Sequence, residues 1–362
     1  MPELRRARAV LESAIRSRVF PGACVEVGTA TEPLWQVGVG ALTYDPMPVS
    51  DTPTAVTRDT VYDLASLTKV LATATIAMRH VEQGTIALDD PVADHVPQWT
   101  AADRQAVTIR DLLSHASGLP AHRPYYRDLE GEDAFVNAIA AEPLEYQPGS
   151  RSIYSDLGFI LLARILGRGR SLADPFDAVW AAVGAGEDLQ FRPPSFWLRR
   201  TAPTEFDAWR GRLLVGEVHD DNCWALGGVS GHAGLFGTAP AVGTFARHVL
   251  QVFDGRSGIV GRGTLGVFAA KRAGVPGSSR ALGWDTMLPT SSCGTRMSAR
   301  AIGHVGFTGT SLWIDPEHGW YVVLLSNRVH PSRDAVDLET ITRVRAAFHD
   351  AVFEDLAAEG AG

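Results

Sequence analysis

The chain has 362 residues and a net charge of −8, long enough for a large core and too acidic for nucleic acid or an anionic membrane as main partner. Hydrophobic residues make up 45% and charged residues 20%, the balance of a soluble globular protein rather than a disordered one. Three cysteines, Cys24, Cys223 and Cys293, form an odd set without a Cys-x-x-Cys pair, which points to free thiols in a reducing compartment.

The first stretch, MPELRRARAVLESAIRSRVFPG, is charged and amphipathic. It lacks the apolar centre and small-residue cleavage site of a secretory signal, so a cytoplasmic location is expected. No run of about 18 apolar residues occurs, which argues against a membrane span. Leu4 to Arg18 reads as an amphipathic helix, and Ala23–Gly28 and Leu34–Gly40 as two strands joined by the turn TATEP.

Ser66-Leu67-Thr68-Lys69 follows, at the head of a stretch that is apolar on nearly every face up to Gln83. Asp63 is placed to cap its start and Gly84 to end it. A helix apolar all round is buried, and residues three apart share a face, so the Ser66 hydroxyl and the Lys69 amine are within reach of each other. The only other lysine is Lys271. Arginine stays protonated, whereas a desolvated lysine can lose its proton and act as a base for a serine nucleophile. The bland reading is an ordinary Ser-x-x-Lys on an exposed helix, but this helix is too apolar for a solvated lysine.

From Gly84 to about Leu226 the composition shifts toward Pro, Asp, Arg and short helical stretches, of which Thr108–His115 and Leu157–Leu166 are the clearest. Tyr154-Ser155-Asp156 stands just before the second of these. A tyrosine at a helix entrance can present its hydroxyl to a cleft; taken alone it reads better as a surface residue with Asp156 as the cap. Near the C-terminus, Gly303-His304-Val305-Gly306-Phe307-Thr308-Gly309-Thr310 precedes a strand, and its glycines allow close approach of backbone to a ligand. Ser311–Ile314 and Tyr321–Ser326 read as strands joined by DPEHGW, and Asp337 to Ala358 as a long amphipathic helix.

These elements predict an α+β fold, an antiparallel sheet flanked by terminal helices with an inserted, mostly helical domain. The expected division is residues 1–84 plus 226–362 for the sheet domain and 85–225 for the helical one. His232 reads as a packing residue, and His219-Asp220-Asp221 as a solvated loop. The remaining histidines show no metal-ligand spacing, so neither a metal nor a cofactor is expected.

In this order, Ser66-x-x-Lys69, Tyr154-x-Asp156 and His304-x-Gly306 resemble the motifs of the penicillin-recognising serine hydrolases: class C β-lactamases, D-alanyl-D-alanine peptidases and related esterases. FPGACVEVG, LLSHASGLP and ALGGVSGHAGLFGTA also look like segments of that superfamily, so the resemblance covers nearly the whole chain. It implies the β-lactamase/D-peptidase-like fold, Ser66 as the acylated nucleophile, Lys69 and Tyr154 as its proton carriers, and the backbone N–H groups of Ser66 and Phe307 as the oxyanion hole. Asp156, His304, Val305 and Gly306 would line the substrate site.

Two departures bear on the substrate. Asp156 replaces the usual asparagine, which removes an N–H donor and, if ionised, raises the lysine pKa. His304-Val305 replaces Lys-Thr, removing a cation and a hydroxyl that help bind the carboxylate of β-lactams and of peptides ending in D-alanine. The reading is therefore a serine esterase or amidase acting on a small ester, amide or peptide. A true β-lactamase or D-Ala-D-Ala carboxypeptidase is the alternative, and a non-catalytic binding protein that keeps the fold is the alternative of another class. A rival register would make Ser155 rather than Tyr154 the proton carrier. Arg123, Tyr125 and Tyr126 are placed to rim the cleft.

Overall fold

The structure, a computed structural model, describes residues 3–44, 55–182, 188–275 and 278–359. In chain order, helix α1 (Arg5–Arg16) leads into strands β1 (Gly22–Thr29) and β2 (Pro33–Gly40) and the short β3 (Tyr62–Asp63). Helices α2 (Thr75–Glu82), α3 (Ile109–Leu113), α4 (Glu132–Ala141), α5 (Asp156–Gly167) and α6 (Ala173–Ala182) follow. Next come β4 (Leu189–Phe191), the hairpin β5 (Phe206–Asp207) and β6 (Arg212–Leu213), α7 (Asp221–Ala225), β7 (Leu235–Gly237), α8 (Ala239–Phe253) and α9 (Arg262–Ala269). Strands β8 (Asp285–Thr286), β9 (Ile302–Val305), β10 (Ser311–Asp315) and β11 (Trp320–Ser326) precede the last helix, α10 (Leu338–Glu359).

The main sheet is antiparallel in the order β2-β1-β11-β10-β9-β8. The first strand pairs with the last, Ala23 opposite Ser326 and Thr29 opposite Trp320. Alternation along each strand sorts side chains to the two faces. Ala23, Val25 and Val27 of β1, with Val322 and Leu324 of β11, join Ala7 and Leu11 of α1 and Phe348 and Val352 of α10 in one apolar cluster. Cys24 of β1 and Val323 and Leu325 of β11 face the other way, into a second cluster with Val242 and Phe245 of α8. Helix α8 approaches this face closely at Gly243, where an added Cβ would fall 1.8 Å from Glu26 Oε1. That buried oxygen accepts from Arg247 Nη1 at 2.7 Å and from the Tyr321 hydroxyl at 2.6 Å, so the desolvated carboxylate is paired and hydrogen-bonded.

The fold is thus α+β, an antiparallel sheet covered by the terminal helices with a mostly helical part inserted in the chain. Residues 85–225 hold α3 to α7, together with the short strands β4, β5 and β6. Strand β4 pairs with β7, and β7 with β3, so a small sheet runs across the positions 84 and 225. The cluster under α8 also continues into that part, through Leu112, Phe159 and Leu162 among others. Among the described residues no helix is long and apolar enough to cross a membrane.

Candidate active site

The turn that carries Ser66 is stitched to the rest of the molecule by polar side chains. Asp63 accepts the Ala65 N–H at 2.8 Å on one carboxylate oxygen and the His219 N–H at 2.7 Å on the other. Ala65 has φ of +46°, a left-handed conformation that few non-glycine residues hold and that clusters at functional sites. A short 3-10 turn, Ala65–Leu67, then leads into a π-helical stretch, Lys69–Ala74, before the α-helical continuation. π-helical insertions are uncommon and occur often at functional sites. Thr68 and Thr73 pin this segment to the 231–235 loop, Thr68 Oγ1 accepting from Leu235 N at 3.2 Å and Thr73 Oγ1 donating to Gly231 O at 2.6 Å.

Lys69 is fully buried beneath Ser66. Its Nζ donates to Ser66 Oγ at 3.1 Å, to Asp156 Oδ1 at 2.8 Å and to the His232 carbonyl at 3.1 Å. An ammonium has three N–H bonds, and all three find acceptors here. Burial pulls the Lys69 pKa down, but the Asp156 carboxylate and then Tyr154 push it the other way, and the net direction is up. The Tyr154 hydroxyl reaches Ser66 Oγ at 2.7 Å. Its pKa is raised by burial, against a lowering pull from Lys69.

Helix α5 and the loop before α4 hold Tyr154 in position. Asp156 is the first residue of α5. Ser155 faces away from the site: its hydroxyl donates to Pro120 O at 2.6 Å and its N–H to His115 Nδ1 at 3.0 Å. Tyr154 rather than Ser155 therefore meets Ser66. The His115 ring lies between Tyr154 and Phe159, with centroids at 4.7 Å and 4.9 Å. Burial, then Arg280 and Lys69, drive its pKa well below the usual histidine value.

Strand β9 and the turn after it form the opposite wall. Thr308 Oγ1 donates to Asp63 O at 2.8 Å and Thr310 Oγ1 to Leu64 O at 3.1 Å, which ties this turn to the residues just before Ser66. Gly306 is obligatory, because a Cβ there would fall 2.1 Å from Thr310 Oγ1 and 2.7 Å from Leu64 O. Phe307 follows at the surface, its ring stacked on His219 at 5.7 Å. Val305 is half-buried. The His304 ring is buried, 5.9 Å from the Tyr154 ring, and its Nδ1 lies 2.9 Å from the Val305 carbonyl. Burial first, then Arg280 and Lys69, hold its pKa well below the ordinary value, so it stands there as a neutral ring.

The cation beside the site is Arg280, whose guanidinium sits 5.1 Å from the centre of the Tyr154 ring. Sequence reasoning missed it because nothing near Arg280 carries a motif. It also missed the tethering role of Thr308 and Thr310, although their alternation in Phe-Thr-Gly-Thr was visible. His232 packs as expected, its ring held between Ser230 Oγ at 2.9 Å and Asp220 Oδ1 at 2.8 Å.

His219-Asp220-Asp221 is not a solvated loop. His219 is 2.9 Å from Glu205, Asp220 binds His232, and Asp221 accepts from Arg210 at 2.9 Å. Arginine and histidine partners from distant segments draw these acids inward, which local sequence does not disclose. Tyr125 and Arg123 both turn to Glu142. Tyr126 lines a cavity of about 870 Å³ together with Trp209 and Trp224; Ser66, Lys69 and Tyr154 are not part of its lining.

A serine hydroxyl met by a buried amine and a phenol, beside a glycine-bearing turn, is an arrangement suited to acyl transfer. The chain matches the Beta-lactamase family over residues 8–346. It belongs to that family and is a serine hydrolase. It is 31% identical over 332 residues to a protein of Escherichia coli (strain K12) named "Putative D-alanyl-D-alanine carboxypeptidase", covering 79% of this chain and 73% of that one. Among solved structures it is similar to EstCE1, a hydrolase with promiscuous acyltransferase activity (TM-score 0.75, 23% identity, 96% of this chain and 98% of that one). It is also similar to a class C β-lactamase from Rhodobacter sphaeroides (TM-score 0.74, 22% identity, 97% and 99% covered). At these identities the two structures speak for the fold.

Proposed function

We propose that Ser66 is the acylated nucleophile of a metal-independent esterase or amidase acting on small esters, amides or peptides. The observation that carries this reading is the convergence of Lys69 Nζ (3.1 Å) and the Tyr154 hydroxyl (2.7 Å) on one serine oxygen. With Lys69 as ammonium and Tyr154 as phenol, both neighbours donate to Ser66 and neither can take its proton. The reactive form has one proton fewer on the Lys69–Tyr154 pair, which titrates as a unit. Ser66 Oγ then attacks the substrate carbonyl carbon while its proton passes to the pair. The carbonyl oxygen, now negative, is received by the N–H groups of Ser66 and Phe307. Collapse breaks the ester or amide bond, and Tyr154 returns a proton to the departing oxygen or nitrogen. Water repeats the sequence on the acyl-enzyme, with the pair as base, and frees Ser66.

A second reading, a D-Ala-D-Ala carboxypeptidase or true β-lactamase, has one specific observation in its favour. Arg280 supplies a cation beside Tyr154, where a substrate carboxylate could be met despite the neutral His304. The three free, buried cysteines support a cytoplasmic setting and favour the first reading. The test is intact-mass detection of an adduct after exposure to p-nitrophenyl esters, a chromogenic cephalosporin and a peptide ending in D-Ala-D-Ala. Ester acylation of the wild type and none in Ser66→Ala is the expected result. Faster turnover of the cephalosporin or the peptide would install the second reading, and no adduct with any donor would remove Ser66 as the acylated nucleophile for these substrates.

A further inference from the structure

Two arginines lie inside the fold behind the Gly306–Thr310 turn with no carboxylate paired to either among the described residues. Arg345, from α10, is 3% exposed, and its Nη2 donates to Gly306 O at 2.7 Å and to Thr310 O at 2.8 Å. Arg328 is 1% exposed; its Nε donates to Phe307 O at 3.0 Å and its guanidinium lies 4.6 Å from the Phe307 ring centre. Arg345 Nε and Arg328 Nη2 are buried without an acceptor. Burying a guanidinium with no carboxylate in contact is unfavourable, so its presence here calls for a reason.

The reason lies in which peptide each arginine holds. The Gly306 carbonyl belongs to the same planar unit as the Phe307 N–H, the second oxyanion donor in the reading above. We propose that Arg345 is a positioning residue of the reaction, polarising the Gly306–Phe307 peptide from inside the fold so that its N–H binds the developing oxyanion more strongly. Hydrogen bonds in series reinforce one another, and they do so most in a low-dielectric interior. Burial and the neighbouring Arg328 push the Arg345 pKa down to about 9, which leaves it charged at neutral pH. Arg328 holds the next carbonyl, Phe307 O, whose peptide does not contain the donor N–H. It is therefore an internal control for a purely structural tether.

The proposal rests on the acyl-enzyme reading, and the experiment separates the two. The wild type, Arg345→Gln (donor kept, charge removed), Arg345→Lys (charge kept) and Arg328→Gln are acylated with one neutral ester, after circular dichroism has shown which are folded. The infrared stretch of the acyl-enzyme carbonyl, kcat, KM and the affinity for an alkyl boronic acid are then compared. Arg345→Gln is expected to raise the carbonyl frequency, lower kcat on the order of 10-fold and weaken the boronate with KM little changed. Arg345→Lys should restore most of each, and Arg328→Gln should leave the frequency near wild type. A folded Arg345→Gln with wild-type frequency and kcat overturns the proposal, as does equal loss in the glutamine and lysine variants. If Arg345→Gln does not fold, the lysine variant decides: a wild-type frequency supports the relay, and a shift as large as or larger than that of Arg328→Gln overturns it. Absence of acylation in the wild type sinks the functional reading and the relay together, whereas acylation with no response at position 345 sinks the relay alone.

Discussion

Asp156 lies 2.8 Å from Lys69 Nζ, and in the proposed mechanism it sets the pH at which the Lys69–Tyr154 pair gives up its first proton. The carboxylate favours the ammonium and raises the lysine pKa, so kcat/KM should rise with pH through an alkaline limb. Asp156→Asn removes that pull. Its rising limb should move to lower pH, with activity retained; a limb that stays in place or moves upward would count against the pairing. Lys69→Arg keeps the charge in a group that does not lose its proton. Turnover of a p-nitrophenyl ester should fall by about 10²-fold or more, and near-normal turnover would remove Lys69 from the proton path.

The turn after β9 is the element on which the site's geometry depends most. Gly306→Ala would drive a methyl group into Thr310 Oγ1 and Leu64 O, prising the turn away from the Ser66 segment. Loss of one oxyanion donor lowers kcat by about 10²–10³-fold, and Gly306→Ala should approach that range while remaining folded, as read by kcat and circular dichroism together. A variant with wild-type kcat would show that the Phe307 N–H does not contribute. The glycines of this segment were legible in the sequence because close approach demands them. So were β1, β2, β10 and β11, runs rich in β-branched, leucine and aromatic residues bounded by turn residues, and the two terminal helices. The π-helical insertion behind Ser66 was not legible, since an apolar stretch looks the same at either winding. Strand β9 was hidden for another reason: Ile-Gly-His-Val is only four residues long and carries a glycine, a weak strand former. Helix α8 went unread although it starts with a threonine cap and a proline. Arg280, Arg328 and Arg345 reach their places through tertiary packing, which no local pattern encodes.

At the scale of the whole molecule, the β5–β6 hairpin and the loop from His330 onward are joined by charge. Glu205 accepts from Arg333 Nε at 2.6 Å and Arg333 N at 2.7 Å, and lies 2.9 Å from His219 Nε2. Burial alone would raise the Glu205 pKa, but these partners outweigh it and bring it down to about 2. A carboxylate depressed in the folded state stabilises above its unfolded pKa of about 4.3, and that contribution fades as pH falls toward the folded value. The native state should therefore lose stability between about pH 4 and 2. Glu205→Gln should be less stable at pH 7 by about 1.5–3 kcal/mol, the range for hydrogen bonds to a charged group, and should show a shallower acid decline in urea titrations. An unchanged decline would mean that other carboxylates govern acid unfolding.

The pairing of β1 with β11 carries a consequence for how the protein is made. A ribosome delivers Ser66 and Lys69 early, but the strand that must lie beside β1 emerges only after nearly all the rest. Until then Val25 and Val27 have α1 and β2 beside them but lack Val322 and Leu324 of β11 and Phe348 and Val352 of α10, and the central sheet stays open. Closure of the central sheet is accordingly a late step governed by a very long loop closure, and its yield in cells will depend on whatever shields that first strand in the meantime.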